Sequence, residues 1–112
     1  MRRITITYHI TADPDTSGRI SIFEIPGGRS FKHERTEIHF PVATYGELQL
    51  AFYRGAEKVM PYEGFWVGDN TVITDESTVE WGPNTTIELY YNNTSTTDTH
   101  EAFIVITGVL EG

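Results

Sequence analysis

The segment 65–81 holds four carboxylates and two tryptophans but no basic residue, so it is the first place to look for chemistry. A twelve-residue calcium loop can be framed on Asp69–Glu80. Such a loop needs an oxygen ligand at its fifth position and glycine at its sixth, where this chain has Ile73 and Thr74. Calcium binding is therefore not indicated, and Asp75–Glu76 are better suited to the start of a single helical turn.

Other patterns for metal binding or catalysis are also weak. His33 and His39 are six positions apart on a predicted strand, a span of roughly 20 Å that is too long for one metal ion, which favours surface histidines on the solvent face of strands. The chain has no cysteine, no serine in a GxSxG context and no glycine-rich phosphate loop. A carboxylate pair for glycoside hydrolysis would need a cleft that nothing in the sequence indicates. These patterns favour a non-enzymatic protein without metal or cofactor.

The charge is strongly negative and unevenly placed. The net charge is −8; all eight Lys and Arg lie between Arg2 and Lys58, and nine acids with no basic residue follow. A field of this sign repels phosphate backbones and attracts basic protein surfaces. Direct nucleic-acid binding is therefore disfavoured and a protein partner with a basic surface is favoured, although the same charge also serves solubility.

Length and patterning predict one soluble domain spanning residues 1–112. The N-terminal residues alternate apolar with polar and do not resemble a signal peptide, and the apolar segment 102–106 is too short to span a membrane. Together with the lack of cysteine, this favours a cytoplasmic protein that does not contact a membrane.

Period-two alternation is the clearest structural signal. In the first 11 residues, Ile4, Ile6 and Tyr8 fall on one face of the chain and threonines on the other. Strands are predicted at residues 4–11, 19–25, 35–40, 65–67, 71–73, 86–91 and 102–109, with a hairpin joining the first two. The final strand is apolar on both faces, so it is expected either at the centre of the sheet or with one face against a partner.

One helix is predicted over residues 44–59. Thr44 and Glu47 have the spacing of a capping box. Apolar and small side chains follow at helical intervals at Leu48, Ala51, Phe52, Gly55, Ala56 and Val59. The prediction is an α+β fold in which this helix packs on one face of a mixed sheet.

The order of these elements resembles ubiquitin-like proteins of the β-grasp fold over residues 36–91. The strand TEIHFPV running into ATYGEL resembles the second strand and helix start of that family. FWVG resembles its short strand and tight turn, VITDESTV its single helical turn and NTTIELYY its last strand. About 40 residues before the helix and the segment 92–112 would make this an elaborated version with extra strands at both ends.

The resemblance implies a recognition patch on the sheet. It would lie near Trp66 and Tyr90, with Asp69 and Glu88 as an acidic rim suited to a basic or aromatic-accepting protein surface. Conjugated members of the family end in paired glycines, whereas this chain ends in a single Gly112.

The leading hypothesis is a non-enzymatic module that binds another protein through this sheet face. Three alternatives stay open: an acidic inhibitor that imitates nucleic acid, a conjugated modifier acting through Gly112, and a structural or assembly subunit. The last of these would associate with other copies through the final strand.

Overall fold

The computed structural model describes residues 1–112 as nine β-strands without a helix. The strands are β1 (Arg2–Ala12), β2 (Ser17–Glu24), β3 (Ser30–Phe40), β4 (Leu48–Arg54), β5 (Glu57–Met60), β6 (Thr71–Asp75), β7 (Val79–Trp81), β8 (Thr86–Asn93) and β9 (His100–Glu111). The α+β prediction is therefore wrong, because the one predicted helix is absent. No helix long and apolar enough to cross a membrane is present.

Two antiparallel sheets make up the fold. Sheet A has the strand order β1-β9-β3-β6, with β7 also paired to β3, and sheet B has the order β2-β8-β4-β5. Strands β6 and β7 pair with successive halves of β3, so they count as one interrupted edge strand. Eight antiparallel strands in two sheets with these crossovers form a jelly roll.

The two outer edges of sheet A differ. On one side, β1 runs without a break along β9, from Arg2 opposite Leu110 to Ala12 opposite His100. On the other side, β6 pairs with Thr36–Phe40 and β7 with Phe31–His33. Sheet A thus has one continuous edge and one edge that is divided in the middle.

The core lies between the sheets and contains 17 buried apolar residues. Burial alternates along β1 as predicted: Ile10 is buried, and its neighbours Thr11 and His9 are exposed. The fully buried side chains of largest volume include Trp81, Phe31, Phe52, Ile25, Ile38, Leu48 and Leu50. Hydrophobic burial of this inner face is what holds the two sheets together.

The segment predicted as a helix is instead a turn followed by the β4–β5 hairpin. Three residues of the turn, Ala43, Tyr45 and Gly46, have positive φ, which a right-handed helix cannot accommodate. The Thr44 hydroxyl donates to Pro41 O rather than capping a helix. Gly55, with φ of 58°, then supplies the tight turn between the two strands.

Two local predictions are also wrong. The first two strands do not form a hairpin, because β1 pairs with β9 and β2 pairs with β8 in the opposite sheet. Asp75 does not begin a helical turn: it ends β6, and its Oδ1 accepts from the Ser77 amide at 2.9 Å. With these elements gone, the β-grasp arrangement has no counterpart in the structure.

Candidate functional site

Four connections between strands meet at one end of the sandwich, which we call the loop end. They comprise residues 13–16, 41–47, 61–70 and 94–99. Backbone hydrogen bonds join them: the Asp15 amide donates to Ser95 O, the Asn70 amide to Pro41 O and the Thr94 amide to Glu47 O. The loop end is therefore a cross-linked structure rather than four independent loops.

Asn93 is the centre of this network. Its side chain is fully buried, and the two N–H groups of its Nδ2 face the carbonyls of Ala12, Asp13 and Asp98 at 3.0, 3.2 and 2.8 Å, so one N–H is shared between two acceptors. Its Oδ1 accepts from the Ser95 amide. One side chain thus fixes both the β1–β2 and β8–β9 loops by bonding to their backbone carbonyls.

Replacing Asn93 with alanine is expected to lower the free energy of unfolding by about 2 kcal/mol, because buried carbonyls lose their donor. Urea denaturation measures this loss. The matched control is Asn92→Ala, since Asn92 is half-buried and its side chain donates only to Gln49 Oε1. Equal losses in the two variants would show that the Asn93 network does not stabilise the fold.

Three potential metal ligands converge at the loop end. His100, at the start of β9, is only 5% exposed, and its Nε2 lies 2.8 Å from Glu47 Oε1. Asp98 completes the group, and the ligand atoms of all three side chains lie within 4.8 Å of one another. Beside them is a cleft of about 540 Å³ between the segments 41–45 and 97–101.

A second surface feature lies on the outer face of sheet A. The register places His9, Phe103, His39 and Val72 side by side across the four strands, and we call these residues the Phe103 row. Phe103 is 43% exposed and Val72 51% exposed. The His9 and Phe103 rings stack with centroids 4.4 Å apart. Cavities of about 550 and 270 Å³ flank Phe103 on either side.

His33 is buried in the core, contrary to the prediction of a surface histidine. The Trp81 indole N–H donates to His33 Nδ1 at 3.3 Å, so the ring proton resides on Nε2, which lies 2.6 Å from Thr36 Oγ1. Burial lowers the pKa of His33 from 6.5 to about 4, and the nearby charge of Asp75 opposes this shift. His33 therefore stays neutral at physiological pH.

The residues predicted for a sheet-face patch do not come together. Trp66 is 5% exposed and packs edge-on against Phe52 with ring centroids 5.1 Å apart, so it offers no surface anchor. Asp69 lies instead at the loop end, where its Oδ1 accepts from the Thr44 amide. Only Glu88 and Tyr90 share a face, the outer side of β8.

The surroundings of Tyr90 are aromatic and carry charges of both signs. Its ring lies 5.7 Å from that of Tyr53 and 5.5 Å from that of Phe65. Arg19 stacks over Tyr53, and Lys58 lies above Phe65. Of the predicted acidic rim, Glu88 stays on this face, where its Oε1 lies 3.7 Å from Arg19 Nη1.

The C-terminal residue does not form a free extended tail in this structure. Gly112 has φ of 134°, and a Cβ built there would lie 2.8 Å from Gly28 O. It packs against the turn before β3, and the ubiquitin-like fold that motivated the conjugation hypothesis is absent.

Comparisons with known proteins support the fold. A chain from the acidic stable capsid structure of Helicobacter pylori bacteriophage KHP30 superposes with a TM-score of 0.56 at 12% identity, covering 96% of this chain and 94% of that one. A chain from Bacillus endospore appendages, described as a novel family of disulfide-linked pili, gives a TM-score of 0.51 at 15% identity, covering 96% and 87%. No protein-family model and no curated protein matches the sequence.

At these identities the similarity concerns the fold alone. Both chains cover nearly the whole of this one, so the all-β architecture is shared over its full length. The resemblance to ubiquitin-like proteins is wrong, and the interaction module based on it is overturned with it. Its short motifs are turn and strand signals that also occur in an all-β sandwich.

Proposed function

We propose that this chain is a structural subunit that assembles with copies of itself through the outer face of sheet A. The observation that carries the proposal is the Phe103 row, a stripe of two exposed apolar side chains and two imidazole rings that crosses all four strands of the sheet. Strand β9 is paired on both sides, so it has no free hydrogen-bonding edge to offer. Its outward side chains are what remains for contact with another molecule.

The two similar structures support an assembly role. One chain comes from a phage capsid structure and the other from endospore appendages that form pili. The pili are described as disulfide-linked, whereas this chain has no cysteine. Contacts between copies of this chain would therefore not be disulfides, and in this proposal they depend on buried apolar surface.

The proposed role is non-enzymatic, and a cytoplasmic location remains part of the proposal. Self-assembly and nucleic-acid mimicry predict opposite responses to salt. A mimic would bind a basic partner more weakly as salt rises, because screening reduces the attraction. Copies that each carry a charge of −8 repel one another, so self-assembly through an apolar face would instead strengthen with salt.

We expect purified protein to form species larger than a monomer as its concentration rises, and more so at high salt. Light scattering coupled to size-exclusion chromatography measures the mass, and negative-stain electron microscopy shows the form of the assembly. Phe103→Glu is expected to abolish association by placing a charge in the apolar row. The matched control is Thr5→Glu, which adds the same charge at an exposed position of the same sheet face.

Two results would overturn the proposal. One is a monomeric mass at every concentration and salt condition. The other is equal loss of association in Phe103→Glu and Thr5→Glu, which would mean that added charge alone, and not the Phe103 row, determines assembly.

A further inference from the structure

Glu47, Asp98 and His100 form a group of side chains that takes no part in the proposed assembly. Glu47 directly precedes β4, Asp98 comes from the connection between β8 and β9, and His100 is the first residue of β9. Residues 47 and 100 are 53 positions apart in the sequence, yet their side chains meet at 2.8 Å. The fold thus brings one imidazole and two carboxylates to a single point.

Hydrogen bonds to the backbone hold the two segments in place. The Thr94 amide and hydroxyl both donate to Glu47 O at 2.9 Å. The Ser95 Oγ accepts from the Asp98 amide at 3.0 Å, and Asn93 Nδ2 donates to Asp98 O. The ligand-bearing backbone is therefore positioned before any ion binds, which reduces the entropy lost on binding.

The side chain of Asp98 has no such structural task. Its backbone amide and carbonyl are both bonded, but its carboxylate makes no hydrogen bond or ion pair within the chain. His100 and Glu47 already contact each other, and the Asp98 carboxylate lies close enough to complete a three-ligand set. A hydrogen-bonded His–Glu pair alone does not require this third group.

The donor set indicates which ion fits. Zn²⁺ takes imidazole nitrogen and carboxylate oxygen at about 2.0–2.2 Å, and in open sites three protein ligands leave a fourth position to water. Mg²⁺ and Ca²⁺ prefer oxygen ligands only. The cleft of about 540 Å³ beside Asp98 and His100 leaves room for water and an entry path.

We propose that Glu47, Asp98 and His100 bind a divalent transition-metal ion of the Zn²⁺ type at the loop end. The ion ties the segment before β4 to the β8–β9 connection and stabilises the folded chain, because it binds the native state in preference to the unfolded one. The site is separate from the Phe103 row, so it can be tested without reference to assembly.

The test is calorimetric titration of Zn²⁺ into metal-free, full-length protein, together with thermal unfolding in Zn²⁺ and in chelator. We expect one tightly bound ion per chain and a higher melting temperature with Zn²⁺. Asp98→Asn is expected to weaken binding at least about tenfold while leaving the melting temperature in chelator unchanged. Glu47→Gln is expected to weaken binding similarly.

His9→Asn is the matched control. His9 also contacts a carboxylate, that of Glu101 at 3.1 Å, but it is exposed and has no third ligand. Because His9 belongs to the Phe103 row, this variant and the wild type are compared at a protein concentration at which both are monomeric, and we expect equal affinity for Zn²⁺. Wild-type affinity in Asp98→Asn, or weakened binding in His9→Asn, would overturn the proposal in favour of adventitious binding at surface histidines. Tighter binding of Ca²⁺ than of Zn²⁺ would overturn the choice of ion.

Discussion

Replacing Gly108 with alanine is expected to lower the free energy of unfolding by about 3 kcal/mol or more, one of the largest effects of a single methyl group anywhere in this chain. A Cβ built at this position would lie 2.3 Å from Lys32 O and 2.6 Å from the Cζ of Phe31. The first of these atoms belongs to the backbone of β3, which is paired with β9 at this point. Relief of the clash would require the two strands to separate.

Gly108 lies where the register is irregular. It faces His33 just before the β3 bulge, and β9 is held by β1 on its other side. A central strand that is bonded on both edges cannot shift to admit a side chain without loss of pairing to one neighbour. Glycine is therefore required here by the close approach of the strands rather than by its φ angle.

Gly82→Ala is the control for this variant. A Cβ at Gly82 would meet no atom within 4 Å, and its φ lies outside the left-handed region. The change is expected to be neutral or slightly stabilising, since alanine reduces the entropy of the unfolded chain. Urea denaturation followed by tryptophan fluorescence compares the two variants. Equal midpoints for Gly108→Ala and the wild type would contradict the predicted clash.

Acidification is expected to lower stability by about 3 kcal/mol through His33 alone. The pKa of His33 is about 4 in the folded chain and 6.5 when unperturbed, and each unit corresponds to about 1.4 kcal/mol. Between these values the unfolded state binds the additional proton, so stability rises with pH. The full free energy of unfolding is present above pH 6.5. The part that depends on a neutral His33 is lost as pH falls through about 4.

A protonated His33 would also lose the indole hydrogen bond. Its Nδ1 accepts from Trp81, and a proton at that atom would oppose the indole N–H. His33→Phe removes the titrating group and is expected to lower stability at neutral pH, because Trp81 and Thr36 lose a partner. The informative measurement is the change in unfolding free energy with pH. It is expected to be smaller in His33→Phe than in the wild type, and parallel curves would contradict the role of this histidine.

The sequence predicts individual strands well where one face is buried and the other is exposed to solvent. This holds for β1, whose alternation extends from Ile4 to Ile10 and matches its burial. The prediction fails for residues 48–59, because the period of a strand and the period of a helix both fit the same residues. Leu48, Leu50 and Phe52 alternate as a strand does, while Leu48, Phe52 and Val59 satisfy a helix. Pairing of β4 with β8 decides between them, and that contact is not local.

The candidate sites were missed for the same reason. The sequence indicates Glu47 only as a capping residue, and His100 is 53 positions away, so no spacing rule connects them. Asn93 falls in a polar stretch typical of loops, and nothing local distinguishes a buried amide from a turn residue. Phe103 lies on a strand predicted to be apolar on both faces. That pattern is the one sequence signal that its outer face could contact another molecule.

Sheet A has one continuous edge and one divided edge, and this difference limits how a strand from another copy can be added. Within sheet A, backbone pairing between two copies would be favourable only along β1, where eleven residues run uninterrupted. Antiparallel joining of β1 to β1 about a two-fold axis would leave the divided margins on the outside, where β6 and β7 already occupy β3. Growth through the edges of sheet A would therefore stop at a pair, so an extended lattice or fibre must use other surfaces of the chain.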